Sequence, residues 1–149
     1  MDLAAGTASG TWDGNAFTDT LISIEQARGS REGDDTLSGA ASDDRLEGRG
    51  GNDLIDGRAG DDELEGDEGN DTLIGGAGDD SLRGDEGNDS LQGGDGRDNL
   101  RGGEGNDLLD ASGGDASTQG FGDFIRAGLG QDTILGPVSY THLTLPTKA

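Results

Sequence analysis

The chain has 149 residues, enough for one domain, but only 28% are hydrophobic and 3% aromatic, far below the roughly 45–50% apolar content of an ordinary globular core, while 31 are glycine. A formal charge of −22, from 32 acidic against 10 basic residues, excludes nucleic acid and anionic membrane as partners and favours cations. With no cysteine there is neither a disulfide scaffold nor a thiolate metal site, and no stretch reaches the roughly 20 apolar residues of a membrane span.

In chain order, Met1–Gly6 shows neither a basic n-region nor an apolar h-region, so no cleavable signal peptide is expected. Trp12 and Phe17 precede Leu21-Ile22-Ser23-Ile24, a strand-like run closed by Gly29-Ser30. No aromatic residue occurs between 31 and 110, so Trp12 and Phe17 are expected to cap one open end of the segment 30–110, from within an N-terminal segment 1–29.

From Ser30 to Asp110 a nine-residue frame holds without a slip. Its sixth position reads Asp35, Asp44, Asp53, Asp62, Asp71, Asp80, Asp89, Asp98 and Asp107. Its eighth reads Leu37, Leu46, Ile55, Leu64, Leu73, Leu82, Leu91, Leu100 and Leu109. The fourth is glycine except at Ser42, and the first is glycine except at Ser30. The second position is the loosest, with glycine only at 76, 94 and 103 and arginine at 31, 49 and 58. Low-complexity disorder, the reading that composition alone suggests, does not keep phase in this way.

Gly-x-x-Gly-x-Asp reads as a turn, because glycine reaches positive φ without a Cβ clash. The last three residues of each unit, such as Thr72-Leu73-Ile74, suit a very short strand whose middle residue points inward. Two units would close one coil, returning the chain to the same side about 4.8 Å along the axis. Leu37, Ile55, Leu73, Leu91 and Leu109 would then stack on one wall, and Leu46, Leu64, Leu82 and Leu100 on the other. Two leucine ladders are too thin a core to hold the fold unaided. Stacked aspartates repel by roughly 1 kcal/mol per pair even in water, so a divalent cation between turns is required.

Units such as Gly75-Gly76-Ala77-Gly78-Asp79-Asp80-Ser81-Leu82 and Gly102-Gly103-Glu104-Gly105-Asn106-Asp107-Leu108-Leu109 resemble the nonapeptide Gly-Gly-x-Gly-x-Asp-x-U-x of RTX (repeats-in-toxin, hemolysin-type) proteins, where U is a large apolar residue. The resemblance is close over 30–110 and weaker around Asp123 and Asp132. It implies an all-β fold, a right-handed parallel β-roll (β-solenoid) with calcium in the turns. It also implies that Ca2+ lies between turns 18 residues apart, held by their aspartates and main-chain carbonyls. Carried over, the pairs are Asp35–Asp53, Asp53–Asp71, Asp71–Asp89 and Asp89–Asp107 on one edge, and Asp44–Asp62, Asp62–Asp80 and Asp80–Asp98 on the other. That gives about seven ions in the regular array. Segment 1–29 resembles the strand that leads into such arrays. The family further implies a secreted, extracellular or cell-surface protein exported by a type I secretion apparatus, through a C-terminal signal not seen here.

Calcium suits this donor set, since it takes six to eight oxygens in irregular geometry, whereas magnesium insists on an octahedron and zinc wants His or Cys. At ten times Kd each ion adds roughly 1.4 kcal/mol, so about seven add on the order of 10 kcal/mol, comparable to the stability of a whole domain. The fifth position (Asp34, Asp43, Asn52, Asp61, Asn70, Asp79, Asn88, Arg97, Asn106) is assigned to turn formation rather than ligation.

After Asp107 the next repeat-like aspartate is Asp123, which breaks the register, so Ser112–Gly122 is expected to be a loop or an inserted excursion, after which Asp123 and Asp132 restore the nine-residue step. Asp123 and Asp132 are further candidate ligands within a segment 111–136 of two degenerate repeats. Residues 137–149 hold both prolines and the only tyrosine, histidine and lysine, and resemble translated sequencing-adapter sequence, so they are set aside as a non-native tail. No EF-hand loop, phosphate-binding glycine loop or zinc-protease motif is present, and no catalytic residue is expected. The leading expectation is a calcium-dependent folding module. The alternatives are an adhesive or surface-structural repeat, and an accessory domain of an exported hydrolase or toxin. The adhesive reading wants an ordered outward row, but the seventh position is mixed (Thr36, Arg45, Leu54, Glu63, Thr72, Ser81, Ser90, Asn99, Leu108).

Overall fold

A computed structural model describes residues 5–12, 15–22, 26–113, 123–136 and 143–144, with side chains described for 26–113 and 123–136. The nine-residue rhythm becomes a succession of strands. They are β1 (Ala5–Trp12), β2 (Asn15–Ile22), β3 (Gln26–Arg28), β4 (Thr36–Ser38), β5 (Arg45–Gly50), β6 (Leu54–Ala59), β7 (Glu63–Glu68) and β8 (Thr72–Ala77). The remainder are β9 (Ser81–Glu86), β10 (Ser90–Asp95), β11 (Asn99–Glu104), β12 (Leu108–Asp110), β13 (Phe124–Leu129), β14 (Thr133–Leu135) and β15 (Leu143–Thr144).

Successive strands of the array alternate between two sheets, as a two-unit coil requires. One sheet has the order β14-β12-β10-β8-β6-β4-β1-β2 and the other β15-β13-β11-β9-β7-β5-β3. Within the array the pairing is parallel, with Leu37 beside Ile55, Ile55 beside Leu73 and Leu73 beside Leu91. This is a β-solenoid of the β-roll type. The N-terminal hairpin β1–β2 joins it differently, since β1 runs antiparallel to β4 and sets Ala8 against Leu37. The capping roles expected of the Trp12 and Phe17 side chains lie outside the described residues.

Each of the nine eighth-position side chains is at most 2% exposed, and Ile125 and Ala127 extend the same core. The two ladders therefore form as the periodicity implies. Three features refine the sequence reading. First, most strands have six residues rather than three. The chain stays paired through the glycine corner (Gly94 beside Gly76, Asp95 beside Ala77), so the strand bends there instead of stopping. Second, the register recovers after Asp110. Phe124 pairs with Asn99 and Thr133 with Leu108, a step of 25 residues where the regular step is 18. The ladders thus resume in register with seven additional residues between β12 and β13; residues 114–122, most of the expected loop, lie outside the described residues. Third, the mixed seventh position separates into two rows. Thr36, Leu54, Thr72, Ser90, Leu108 and Thr133 are neighbours on one sheet and carry no charge, whereas Arg45, Glu63, Ser81, Asn99 and Phe124 line the other. Leu143 and Thr144 of the terminal segment pair with Ile125 and Arg126.

Candidate metal centre

The turns joining the two sheets contain the aspartates. All nine sixth-position aspartates of the regular array are buried, between 1% and 4% exposed, which is rare for Asp and demands partners. Half of each carboxylate has one. The Oδ1 of every aspartate from Asp53 to Asp107 accepts the backbone N–H of the aspartate one coil earlier, as in Asp35 N–H to Asp53 (2.7 Å) and Asp53 N–H to Asp71 (2.8 Å). The same bond links Asp98 N–H to Asp123 (2.9 Å) and Asp107 N–H to Asp132 (3.1 Å), so the degenerate repeats rejoin both rows.

The other oxygen has none. Oδ2 of Asp53, Asp62, Asp71, Asp80, Asp89, Asp98 and Asp107, and Oδ1 of Asp44, are buried without a hydrogen-bond partner. A buried carboxylate oxygen left so costs on the order of several kcal/mol unless a cation or proton meets it. The first-position glycines make room for that oxygen. A Cβ on Gly57 would meet Asp62 Oδ2 and lie 2.8 Å from the Gly75 carbonyl oxygen of the next coil, and one on Gly66 would meet Asp71 Oδ2 and lie 2.9 Å from Gly84 O. Glycine thus leaves the space of a Cβ to oxygens from two successive coils. Only oxygen donors converge there, the preference of a hard divalent ion.

The electrostatics agree. Burial pushes the carboxyls of Asp62, Asp71 and Asp98 up to about 7, and those of Asp53 and Asp89 up to about 6. The backbone N–H bond from the preceding coil opposes the rise, and the stacked aspartates add to it. Asp80, Asp107 and Asp123 are raised too, again mainly by burial. The row is ill at ease as a stack of bare anions, and a cation held between coils would reverse each of these shifts.

The fifth position does more than shape single turns. Along one edge Asn52 donates its backbone N–H (2.7 Å) and side-chain amide (3.1 Å) to Asp34 Oδ1; Asn70, Asn88 and Asn106 repeat the pattern, and Gln131 N–H continues it. This amide ladder is a functional feature that a turn-only reading misses. Its signal was present, since every second fifth-position residue from Asn52 to Asn106 is asparagine. Elsewhere, Glu65, Asp67 and Asp85 bring carboxylates within 4.8 Å of one another, but Arg83 lies against Glu65 (3.0 Å) and Asp85 (3.9 Å) and makes this an ion-pair network.

A family model for the RTX calcium-binding nonapeptide repeat matches residues 31–64, 56–91, 65–100, 83–115 and 118–136, more than half of the chain. The chain belongs to the RTX calcium-binding repeat family. Its repeats are calcium-binding modules and its solenoid is the β-roll of that family. No curated protein and no solved structure gives a significant match. Among the described residues no helix is long and apolar enough to cross a membrane.

Proposed function

We propose that this RTX array is a calcium-dependent folding module of a secreted protein, and that its ligands are Asp35, Asp44, Asp53, Asp62, Asp71, Asp80, Asp89, Asp98 and Asp107, joined by Asp123 and Asp132. The observation that carries the reading is the row of buried, unpartnered carboxylate oxygens packed against the first-position glycines. About seven Ca2+ ions would occupy the regular array, and the Asp98–Asp123 and Asp107–Asp132 contacts add two further inter-coil positions. Each ion takes carboxylate oxygens and glycine carbonyls, neutralises the stack and fastens one coil to the next.

Such a chain is extended where calcium is submicromolar and compact where it is millimolar. That suits export as an unfolded chain through a type I apparatus and folding outside the cell. Residues 1–29 then serve as an entry cap, 30–110 as the regular array, 111–136 as its degenerate end and 137–149 as an appended tail. The array performs no chemistry of its own in this reading.

Circular dichroism during a calcium titration of the EDTA-treated chain tests the proposal. The β signal should appear with calcium and not with magnesium at equal concentration. A β signal already complete in EDTA, or restored equally by magnesium, overturns it.

A further inference from the structure

The two sheets of the roll present unlike outer faces. Strands β5, β7, β9, β11 and β13 contain thirteen charged residues, cross-linked by ion pairs such as Arg45–Glu65 (3.3 Å) and Arg83–Glu65 (3.0 Å). Strands β4, β6, β8, β10, β12 and β14 contain four: Asp56, Arg58, Asp95 and Asp110. Their outward seventh-position row is the uncharged one from Thr36 to Thr133, and the ninth-position row beside it reads Ser38, Asp56, Ile74, Gln92, Asp110 and Leu135. Leu54 (42%), Leu108 (37%) and Leu135 (46%) are three of the four exposed large hydrophobic side chains among the described residues. Arg58 lies 3.9 Å from Asp56, and Asp95 lies past the glycine bend of β10. One flank of the face is the uncharged ladder Asn52–Asn70–Asn88–Asn106; Asp67, Glu68, Asp85, Glu86 and Glu104, beyond it, belong to strands of the other sheet. On the other flank Asp61 and Asp79 follow the bend, with Arg97 lying 3.2 Å from Asp79.

We propose that this face is a self-association surface: two rolls pair sheet to sheet, with their axes antiparallel about a two-fold lying between β8 and β10. The pairing goes beyond the calcium-binding role and requires only the folded roll. Charge selects the occupant. Copies carrying −22 each repel over most of their surface, and pairing through the other sheet would bury its dense set of ion pairs at a desolvation cost. The sparsely charged face keeps both costs lowest, and depletion of charge is what marks the core of an interface. Register selects the arrangement. Closed dimers are two-fold, so the surface must complement itself. The two leucines of the seventh-position row sit on β6 and β12, each one strand outside the central pair β8 and β10. The two-fold therefore sets Leu54 against Leu108 of the second copy, and the reverse, with Thr72 against Ser90 and Ile74 against Gln92. Its one like-charge meeting, Asp56 with Asp110, is offset by Arg58 beside Asp56. Six strands about 4.8 Å apart and three residues wide present roughly 400 Å2 per copy, about half of a standard interface, so the pair is weak and forms at high concentration.

Sedimentation equilibrium of the full chain in saturating calcium, from about 10 µM to about 1 mM, tests this. The apparent mass should rise from the single-chain 15.1 kDa toward twice that value across the range. Leu54→Arg or Leu108→Glu alone should weaken association about tenfold or more, since each sets a charge against a leucine at two symmetric contacts. Combined, the two substitutions face each other across the two-fold and should restore association to within about threefold of the parent. Both sites point outward, so circular dichroism of every variant in calcium should match the parent. Ser81→Arg, in the seventh-position row of the other sheet, should leave association unchanged. A parent chain that stays single at every concentration, whether or not a neutral polysaccharide gel retains it, overturns the pairing. So does a dimer indifferent to Leu54→Arg, or a double variant no better paired than the single ones.

Discussion

Replacing one buried ligand by its amide should move stability in opposite directions with and without calcium. In Asp71→Asn the Oδ1 acceptor for Asp53 N–H (2.8 Å) survives. The unpartnered Oδ2 becomes an uncharged NH2 group. The Asp71 carboxyl is raised from 3.8 to about 7. At pH 7.5 the metal-free fold therefore carries a penalty of up to about 4 kcal/mol for that one charge, and about 2 kcal/mol once solvent relaxation around the turn is allowed. Removing it should favour the metal-free compact state by about 2 kcal/mol, roughly 30-fold in the folding equilibrium. With calcium the sign inverts. The Asp53–Asp71 and Asp71–Asp89 positions each lose a charged ligand, and the calcium midpoint should rise about tenfold or more. Far-UV circular dichroism and size-exclusion radius, in EDTA and along a calcium titration, read both effects. The reasoning fails if the variant in EDTA is no more structured than the parent, or if its calcium midpoint is unchanged.

Two other outcomes arise from the same turns. In metal-free protein the aspartate carboxyls are held higher in the fold (about 6 for Asp53 and Asp89, about 7 for Asp62 and Asp98) than the ordinary 3.8, so acid favours the compact state. Their penalty is complete above pH 7, shrinks as pH falls through 7 and is gone below about 4. An EDTA sample should thus gain β signal and lose hydrodynamic radius on acidification from pH 7.5 to 4.5; expansion over that range would contradict the burial of these groups. At the second position Arg49, Arg58, Asp67 and Asp85 adopt φ between 74° and 83°, where a side chain costs roughly 1 kcal/mol relative to glycine. Asp67→Gly with Asp85→Gly should lower the calcium midpoint and raise thermal stability in saturating calcium by about 2 kcal/mol, and an unchanged melting temperature would show that the strain is not stored there.

Much of this architecture was legible because the determinants repeat in phase. The eighth-position leucines and sixth-position aspartates fixed which residues point inward, and an eighteen-residue coil is the consequence once two units close a turn. The finer features were hidden for physical reasons. Strand length depends on pairing with the adjacent coil, which holds Gly76 and Ala77 in the sheet despite their turn-like composition. The positive φ at Arg58 and Asp67 is imposed by that pairing against local preference. The recovery of register beyond Asp110 required knowing that Ile125 and Ile134 find Leu100 and Leu109 as partners. A spacing count in one dimension records only the interruption. The amide ladder was missed because Asn reads as a turn former within a single unit, and its hydrogen bonds run between units instead.

The division of labour between positions five and six explains why so polar a chain can hold its turns. At a turn such as 69–71 the fifth-position side chain accepts the N–H of the coil ahead, whereas from Asp53 to Asp107 the sixth-position Oδ1 accepts the N–H of the coil behind. Backbone donors are thus satisfied in both directions by side chains, and the seventh-position N–H completes the set by donating to the preceding coil's aspartate carbonyl, as Thr72 does to Asp53 (2.8 Å). From Asp53 to Asp107 hydrogen bonding therefore leaves one buried group per turn unserved, the Oδ2. With leucine ladders only one residue deep per coil, apolar burial is too limited to absorb that cost at every level of the stack. On the proposed reading, stability consequently depends on what meets those oxygens, protons at low pH or calcium at neutral pH, and the same residues that specify the coil would make its folding conditional on the ion.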